Sequence, residues 1–470
     1  MNKLNLSKTK LVATLGPSTD KLLGFDTKTL TTININDSYN QYLEMVNSGA
    51  DVFRFNMSHE NFEIHKFRYD LLREFNSKTP KQTGIMIDTK GPEIRVCEIQ
   101  TNDLEKNIIK KDDIVIIESQ NPTLIGDAKR FAITDVTKTY NMANDLEVNQ
   151  IIYVGDGKLL LQVLELDKPK GIITTKCLTD KYTIVKNKRI NLMNSKYSIP
   201  FLSEFDIETI KKAIEWDADF LALSFVSNKN QLQEVRSIIN NVNPNSKLKI
   251  ISKIETMEAL ENIEDIIYYS DGVMVARGDL ALEIGFEKVP YWEEKILELS
   301  HYSSKISIVA TQMLDSLEKD FIPTRAETMD CYYATKMLCS STMLSGESAS
   351  GHNPINAIRM MKKITNESEK MNQDYLTGIY DYEFDFDELP FISSLLDVDN
   401  ENQTIILENF DKDEIALIGS LNFMSNFVLL NSNQTELSLY RNINVLNLNL
   451  EQFLNLEHSK HLILNKKDLN

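Results

Sequence analysis

Short apolar segments rich in β-branched residues alternate along the chain with longer segments of helical periodicity. Apolar residues recur about every 3.6 positions in the segments 204–216, 229–240, 256–269, 288–303, 325–340 and 353–370. The predicted strands are 9–15, 51–55, 84–88, 219–225, 248–254, 272–276, 306–310 and 341–344. Nearly continuous apolar strands predict a parallel sheet that is covered by helices. Eight such strands favour a closed (β/α)₈ barrel, the TIM barrel, over an open sheet.

One long interruption separates the third predicted strand from the fourth. About 130 residues lie between them, and residues 95–187 contain several short β segments. This pattern predicts a small β-barrel-like lid domain inserted in a loop that follows a barrel strand. Such loops form the catalytic face of this architecture, so an inserted lid there can close over a substrate and exclude water.

The chain changes character again after about residue 372. An acidic and aromatic segment at 381–390 precedes strand-like runs with the sequences TIILE, IALIG, FVLLN, NVLNL and HLILN. We expect a small, divergent C-terminal α/β domain. The expected division is 1–91 for the first part of the barrel, 92–188 for the lid, 189–372 for the second part of the barrel and 373–470 for the C-terminal domain.

Composition narrows the class of protein. Hydrophobic residues make up 42% of the chain and charged residues 26%, which is typical of a packed globular protein. The first ten residues lack an apolar signal segment and no apolar run reaches about 18 residues, so we expect a cytoplasmic protein. The four cysteines are scattered and lack metal-ligand spacing, so free thiols are expected.

The net charge of −18 argues against a nucleic-acid or anionic membrane partner. An anionic ligand would therefore need a local cluster of Arg, Lys and bound cations.

Polar residues follow the carboxyl end of nearly every predicted barrel strand, where barrel enzymes carry their functional groups. Arg54 and Lys253 can supply fixed positive charge to an anionic ligand. Glu255 and Asp279 form the carboxylate pair that Mg²⁺ prefers. Two structural alternatives remain open: an ion pair of Lys253 with Glu255, and a helix N-cap role for Asp279.

The chain resembles pyruvate kinase in a series of motifs that run in family order through residues 8–370. The motifs are TKLVATLGPST at 9–19, DVFRFNMSH at 51–59, DTKGPEIR at 88–95, SKIE at 252–255, SDGVMVARGDL at 270–280, ATQMLDS at 310–316, PTRAE at 323–327 and MLSGES at 343–348. The resemblance implies transfer of a phosphoryl group from phosphoenolpyruvate to ADP, giving pyruvate and ATP in glycolysis. It also implies a homo-oligomer, by family a tetramer.

The resemblance also implies roles for individual residues. Lys253, Arg54, Thr311 and Ser345 would be catalytic, the last two as hydroxyls on the route that protonates the enolate. The substrate would contact Arg54, Lys253, Gly278, Asp279 and Thr311. The nucleotide would contact Asn56, Ser58, His59, Arg95 and Lys188. Mg²⁺ or Mn²⁺ would be held by Glu255 and Asp279, and K⁺ by Asn56, Ser58, Asp88 and Thr89, with Glu93 as the acid that accompanies K⁺ dependence.

Two other functions share some of these sequence features with an active kinase. A catalytically impaired relative could act as a binding scaffold, although no charged catalytic group is missing. A lyase or aldolase acting on pyruvate or phosphoenolpyruvate would share the carboxylate pair but would not need DTKGPEIR or the lid. In the C-terminal domain, glycine is reduced to Gly378 and Gly419 and Arg441 is the only arginine, so we expect no control by a sugar phosphate.

Overall fold

The computed structural model describes residues 6–155, 157–193, 198–371, 403–420, 425–456 and 460–468, together with 392, 395, 399 and 423. Gly378, on which the expectation of no sugar-phosphate control partly rests, and the acidic segment 381–390 lie outside the described residues. In the described ranges, the helices are all too short or too polar to cross a bilayer.

A closed barrel of eight parallel strands forms the centre of the molecule. The first strand pairs with both the second and the last, which closes the barrel. All eight predicted strands are confirmed. Their bounds are Lys10–Thr14, Val52–Asn56, Gly84–Asp88, Phe220–Leu223, Lys249–Ile254, Gly272–Ala276, Ile306–Ala310 and Ser341–Leu344. We call this the large barrel.

Amphipathic helices surround the large barrel and bury their apolar faces against it. The predicted helices are present, except that 256–269 forms two helices separated at Asn262. Capping sets several helix starts; for example, the Ser203 hydroxyl accepts the Asp206 amide at 3.1 Å. The helices are Pro17–Leu22, Ile35–Ser48, Phe62–Ser77, Glu204–Glu215, Lys229–Val242, Met257–Glu261, Ile263–Tyr269, Arg277–Ile284, Val289–Tyr302, Arg325–Lys336, Gly346–Ala349 and Pro354–Met371.

A second closed barrel of seven strands lies between the third and fourth strands of the large barrel, as predicted for the lid. Its strands are Ile94–Val96, Ile114–Glu118, Arg130–Thr134, Ile151–Val154, Leu159–Asp167, Ile172–Cys177 and Arg189–Leu192. The last strand lies beyond residue 188, where the insertion was expected to end, yet it pairs with two strands of this barrel. Strand pairing is not local in sequence, so periodicity did not reveal this membership. We call this unit the small barrel.

In the described part of the C-terminal region, four parallel strands form a sheet. Its strands are Gln403–Glu408, Asn426–Leu429, Ile443–Val445 and Lys460–Asn465. The prediction of a strand at IALIG was wrong, because these residues lie in the helix Lys412–Ser420. Asp411 accepts the amides of the first turn, and Ile415 and Ile418 share the buried face. A second helix, Leu450–Leu456, follows the third strand.

The C-terminal sheet packs against the amino-terminal ends of the large-barrel strands. Apolar side chains from the interior of the large barrel and from this sheet form one continuous cluster. A Cβ atom on Gly84, at the start of the third strand, would lie only 2.5 Å from the Ser438 hydroxyl. The Gln82 amide donates to the Val445 carbonyl at 3.0 Å. The opposite end of the large barrel faces the small barrel.

Candidate active site

A cleft of about 720 Å³ lies at the carboxyl ends of the large-barrel strands, beside the small barrel. Most residues predicted from sequence line it: Arg54, Asn56, Ser58, His59, Arg95, Lys188, Lys253, Glu255, Asp279, Thr311 and Ser345. The other three, Asp88, Thr89 and Gly278, bond to residues that line it. The structure thus brings the predicted residues to one place.

The charge of the cleft is opposite in sign to the net charge of the whole chain. The lining residues include seven Lys or Arg side chains but only three Asp or Glu side chains, whereas the net charge of the chain is −18. Such a local excess of cations attracts an anionic ligand and focuses it within the cleft.

Asp88 organises the two principal cations. Arg54 Nε lies 2.6 Å from one Asp88 oxygen, and Lys253 Nζ lies 3.2 Å from the other. Burial would raise the pKa of the Asp88 carboxyl, but the charges of Arg54 and Lys253 outweigh burial and hold that pKa below its ordinary value. Arg54 also donates to the Thr14 hydroxyl at 2.9 Å. Both cations are therefore fixed before any ligand binds.

Lys253 extends from the fifth strand into this cluster. Lys253 Nζ lies 3.1 Å from Glu255 Oε1, so the ion pair considered as a structural alternative is present. Lys253 Nζ also donates to Ser224 Oγ at 2.8 Å. Burial would lower the pKa of Lys253, but Asp88 and Glu255 raise it above the ordinary value. The side chain therefore stays charged and borders the cleft, so its ion pair and a role toward a ligand coexist.

Glu255 and Asp279 form a carboxylate pair on adjacent strand ends. The Phe225 amide donates to Glu255 Oε2 at 2.7 Å. Burial raises the pKa of Glu255; Lys253 opposes this effect and the Asp279 charge adds to it. A divalent cation between the two carboxylates would relieve their repulsion, so these residues fit Mg²⁺ or Mn²⁺. No larger cluster of His, Cys, Asp or Glu suited to a metal occurs in the described part of the chain.

Asp279 does not cap its helix. The helix Arg277–Ile284 has Ala276 at its N-cap and lacks a side-chain capping bond there. The Asp279 oxygens instead accept from two residues of the small barrel, Arg189 Nη1 at 2.9 Å and Asn191 Nδ2 at 3.1 Å. The alternative reading of Asp279 as an N-cap was therefore wrong.

Thr311 and Gly278 meet at the ends of the seventh and sixth strands. The Gly278 amide donates to Thr311 Oγ1 at 2.8 Å. Thr311 and Gln312 have φ values of 74° and 53°, a left-handed conformation that costs energy in residues with a side chain. Arg277 Nη2 donates to the Thr311 carbonyl at 2.7 Å, which holds this backbone in place.

The four predicted K⁺ ligands lie on two neighbouring strand ends and the residues that follow them. Asn56 and Asp88 are partners in the register of the second and third strands. The Ser58 amide donates to Asn56 Oδ1 at 3.0 Å, and the Ser224 amide donates to Thr89 Oγ1 at 3.0 Å. Three neutral oxygen donors and one carboxylate therefore lie close together. This donor chemistry suits a monovalent cation.

The predicted nucleotide contacts lie toward the small barrel. Glu93 accepts Arg95 Nη2 at 2.7 Å, and the Asn187 carbonyl accepts Arg95 Nη1 at 2.8 Å. Burial lowers the pKa of His59, and the nearby positive charge of Arg95 lowers it further. His59 is therefore neutral near pH 7. Lys188 borders the same side of the cleft. Ser345 lies at the end of the eighth strand, where its amide donates to Glu347 Oε2 at 2.8 Å.

Among the residues that position the predicted groups, Ser224, Arg277 and Arg189 were not assigned a role from sequence. Ser224 accepts Lys253, Arg277 supports Thr311, and Arg189 pairs with Asp279. Arg277 follows the predicted strand 272–276, so position alone could have indicated it. Ser224 lay inside the predicted strand 219–225, which ends at Leu223 in the structure. No local signal marks Arg189, because its partner is far away in the sequence.

A closed parallel barrel whose strand ends gather fixed cations around a carboxylate pair defines an enzyme of the (β/α)₈ class. The family model described as the pyruvate kinase barrel domain matches residues 6–358. The chain therefore belongs to the pyruvate kinase family, whose members are phosphotransferases.

Individual relatives agree with the family assignment. The chain is 41% identical to pyruvate kinase of Mycoplasma genitalium over 78% of its own length and 71% of the relative. It is 34% identical to pyruvate kinase of Staphylococcus haemolyticus, of which it covers 58%. A crystal structure of a pyruvate kinase from Cryptosporidium parvum aligns with a TM-score of 0.77 and 26% identity, covering 98% of this chain and 89% of that one.

Proposed function

We propose that this protein transfers the phosphoryl group of phosphoenolpyruvate to ADP, giving pyruvate and ATP, with dependence on Mg²⁺ and K⁺. The observation that carries the proposal is the arrangement around Asp88, which holds Arg54 and Lys253 beside Glu255. A transferring phosphoryl group needs fixed positive charge more than covalent help from the protein. This arrangement supplies that charge without reorganisation.

Each side chain has a defined part in this reaction. Arg54 and Lys253 bind the phosphoryl group, and Lys253 stabilises its charge during transfer. Thr311 Oγ1 accepts the Gly278 amide, so the bond leaves its own O–H to donate toward the enolate; Ser345 borders the same cleft. His59, Arg95 and Lys188 bind the nucleotide, with Asn56 and Ser58 beside them.

Glu255 and Asp279 would hold the divalent cation, which when bound neutralises charge on the substrate oxygens. Asn56, Ser58, Asp88 and Thr89 would hold K⁺ beside the same phosphoryl group. Because Lys253 is paired with both Asp88 and Glu255, the two cation sites and the catalytic lysine are electrostatically linked.

The lid domain spans about residues 92–192 in this proposal, so it includes the strand Arg189–Leu192. It separates the first part of the large barrel from the second part, which ends near residue 372. A C-terminal domain follows. The family relationship supports a homo-oligomer, a tetramer by resemblance, that acts in glycolysis in the cytoplasm.

The test is a coupled assay of pyruvate release from phosphoenolpyruvate and ADP. We expect activity that requires a divalent cation and that is higher with K⁺ than with Na⁺ or tetramethylammonium. Full activity with tetramethylammonium alone would contradict the K⁺ site. No pyruvate release by the folded protein under any of these conditions would instead support the catalytically impaired scaffold.

A further inference from the structure

The Arg189 side chain extends from the small barrel to the large barrel. There it forms an ion pair with Asp279, whose carboxylate is a proposed metal ligand. Arg189 Nη1 lies 2.9 Å from Asp279 Oδ2, and the guanidinium lies over the Phe225 ring at 4.8 Å from the ring centre. Both partners of the ion pair are largely shielded from solvent, with 20% and 17% of their side chains exposed. A pair of this kind is stronger than one at the open surface.

A second acceptor lies beside the same guanidinium. Arg189 Nε is 3.9 Å from Glu93 Oε1. Arg95 binds the other oxygen of Glu93, Oε2, so Oε1 has room for a closer bond to Arg189. Glu93 is itself buried, and a short movement of the guanidinium would exchange one carboxylate for the other. Asp279 and Glu93 are thus two alternative carboxylate partners within reach of Arg189.

A guanidinium and a divalent cation compete for one carboxylate. The cation must displace the Arg189 bond to Asp279, and its charge repels the guanidinium at close range. Asn191 is neutral and can keep its bond to one Asp279 oxygen. The strand Arg189–Leu192 belongs to the small barrel, so displacement also removes an ionic link between the two barrels.

We propose that Arg189 is a latch that occupies the divalent-cation position on Asp279 in the free enzyme and moves to Glu93 when the metal binds. The inference rests on the proposed metal role of Asp279. The latch lowers the metal affinity of the free enzyme and couples metal binding to the link between the barrels.

The test measures Mn²⁺ binding to the full-length protein without phosphoenolpyruvate or ADP, with unbound Mn²⁺ quantified by electron paramagnetic resonance. Arg189→Gln removes the charge and keeps a hydrogen-bonding side chain. We expect its Kd for Mn²⁺ to fall about fivefold, the effect of removing one partly shielded ion pair. Arg189→Lys keeps the charge and should bind Mn²⁺ as the parent protein does.

Arg236→Gln provides a matched control, because Arg236 forms an ion pair of similar length, 2.8 Å, with Asp271 away from the cleft. It should leave Mn²⁺ binding unchanged. An unchanged or weaker affinity in Arg189→Gln would overturn the latch, as would the absence of Mn²⁺ binding in both parent and variant. The assay contains no substrate, so failure of the proposed reaction would appear separately, in the pyruvate assay.

Discussion

At the residue scale, the site is built from charges that hold one another in place. Asp88 is buried, yet the pKa of its carboxyl stays low because Arg54 and Lys253 flank it. Lys253 in turn stays charged because Asp88 and Glu255 are its neighbours. A buried ion cluster of this kind is costly to assemble, but it provides charge that needs no reorganisation during a reaction.

Lys253→Met should nearly abolish phosphoryl transfer while the fold is retained. The variant loses the cation that stabilises the transferring group, a loss of about 3–4 kcal/mol, or roughly 10²–10³ in kcat. Steady-state kinetics of pyruvate release measure this effect, and circular dichroism checks the fold. Near-normal turnover in a folded variant would refute the assignment of Lys253.

The carboxylate pair should control the requirement for a divalent cation. Glu255→Gln and Asp279→Asn keep an oxygen ligand but lose its charge, so each should raise the Mg²⁺ concentration at half-maximal activity about tenfold or more. Titrations of Mg²⁺ in both variants and the parent test this expectation. If the three curves coincide, the metal is bound elsewhere.

At the element scale, the helix Arg277–Ile284 links the sixth and seventh strand ends. Arg277 donates to the Thr311 carbonyl at 2.7 Å and pairs with Asp330 at 2.7 Å, on the helix Arg325–Lys336. Thr311 has a left-handed backbone, which persists only when its surroundings enforce it. One arginine therefore couples a neighbouring helix to the position of the Thr311 hydroxyl.

Arg277→Gln should lower kcat about tenfold or more, because Thr311 loses the contact that holds it, while the Mg²⁺ requirement stays close to that of the parent. Arg277→Lys keeps the charge facing Asp330 and should recover part of the rate. Kinetics with separate kcat and KM values, together with a Mg²⁺ titration, distinguish positioning from general destabilisation. An unchanged kcat in Arg277→Gln would exclude this role.

At the scale of the whole molecule, the C-terminal sheet covers the end of the large barrel opposite the cleft. The contact contains buried cations as well as the shared apolar cluster. Lys10 Nζ donates to the Ser7 carbonyl at 2.7 Å and to Asn444 Oδ1 at 3.2 Å. Lys81 Nζ pairs with Asp51 at 2.6 Å. Burial lowers the pKa of Lys10 to about 7, so its charge is easily lost.

Stability should rise with pH between about 7 and 8.5, in part because of Lys10. Its pKa is about 7 in the folded protein against an ordinary value of 10.5, so the unfolded chain binds more protons in this interval and unfolding becomes less favourable as pH increases. Urea unfolding at several pH values measures the slope. Lys10→Met should reduce that slope; an unchanged slope would show that Lys10 does not contribute.

Fructose 1,6-bisphosphate should leave the phosphoenolpyruvate saturation curve unchanged. In the described part of the C-terminal sheet, Arg441 is buried at the contact and donates to Thr9 Oγ1 at 2.7 Å, while Lys412 and Lys466 pair with Glu436 and Glu414. A nearby cavity of about 380 Å³ has neither Lys nor Arg in its lining. A bisphosphate needs several such donors. A leftward shift of the curve at sub-millimolar effector would contradict this prediction.

The sequence by itself determined the order of the eight barrel strands, their bounds to within two residues, and most of the functional residues at their ends. These follow from local pattern: a doubly buried strand reads as a short apolar run, and the functional groups of a barrel follow directly after such runs. Lys253, Glu255 and Asp279 could therefore be selected from the sequence alone. The family motifs extended the selection to Ser58 and Thr89, whose side chains alone carry no signal.

Only the tertiary structure decided which distant groups meet. It placed the strand Arg189–Leu192 in the small barrel, directed Arg189 to Asp279, and buried Arg441 against Thr9. The segment IALIG also forms part of the helix Lys412–Ser420 rather than a strand. Capping by Asp411 and burial of one helix face outweigh the apolar run that predicted a strand. Strand pairing and ion pairing join residues that are far apart in sequence, and periodicity records only the local environment of each segment.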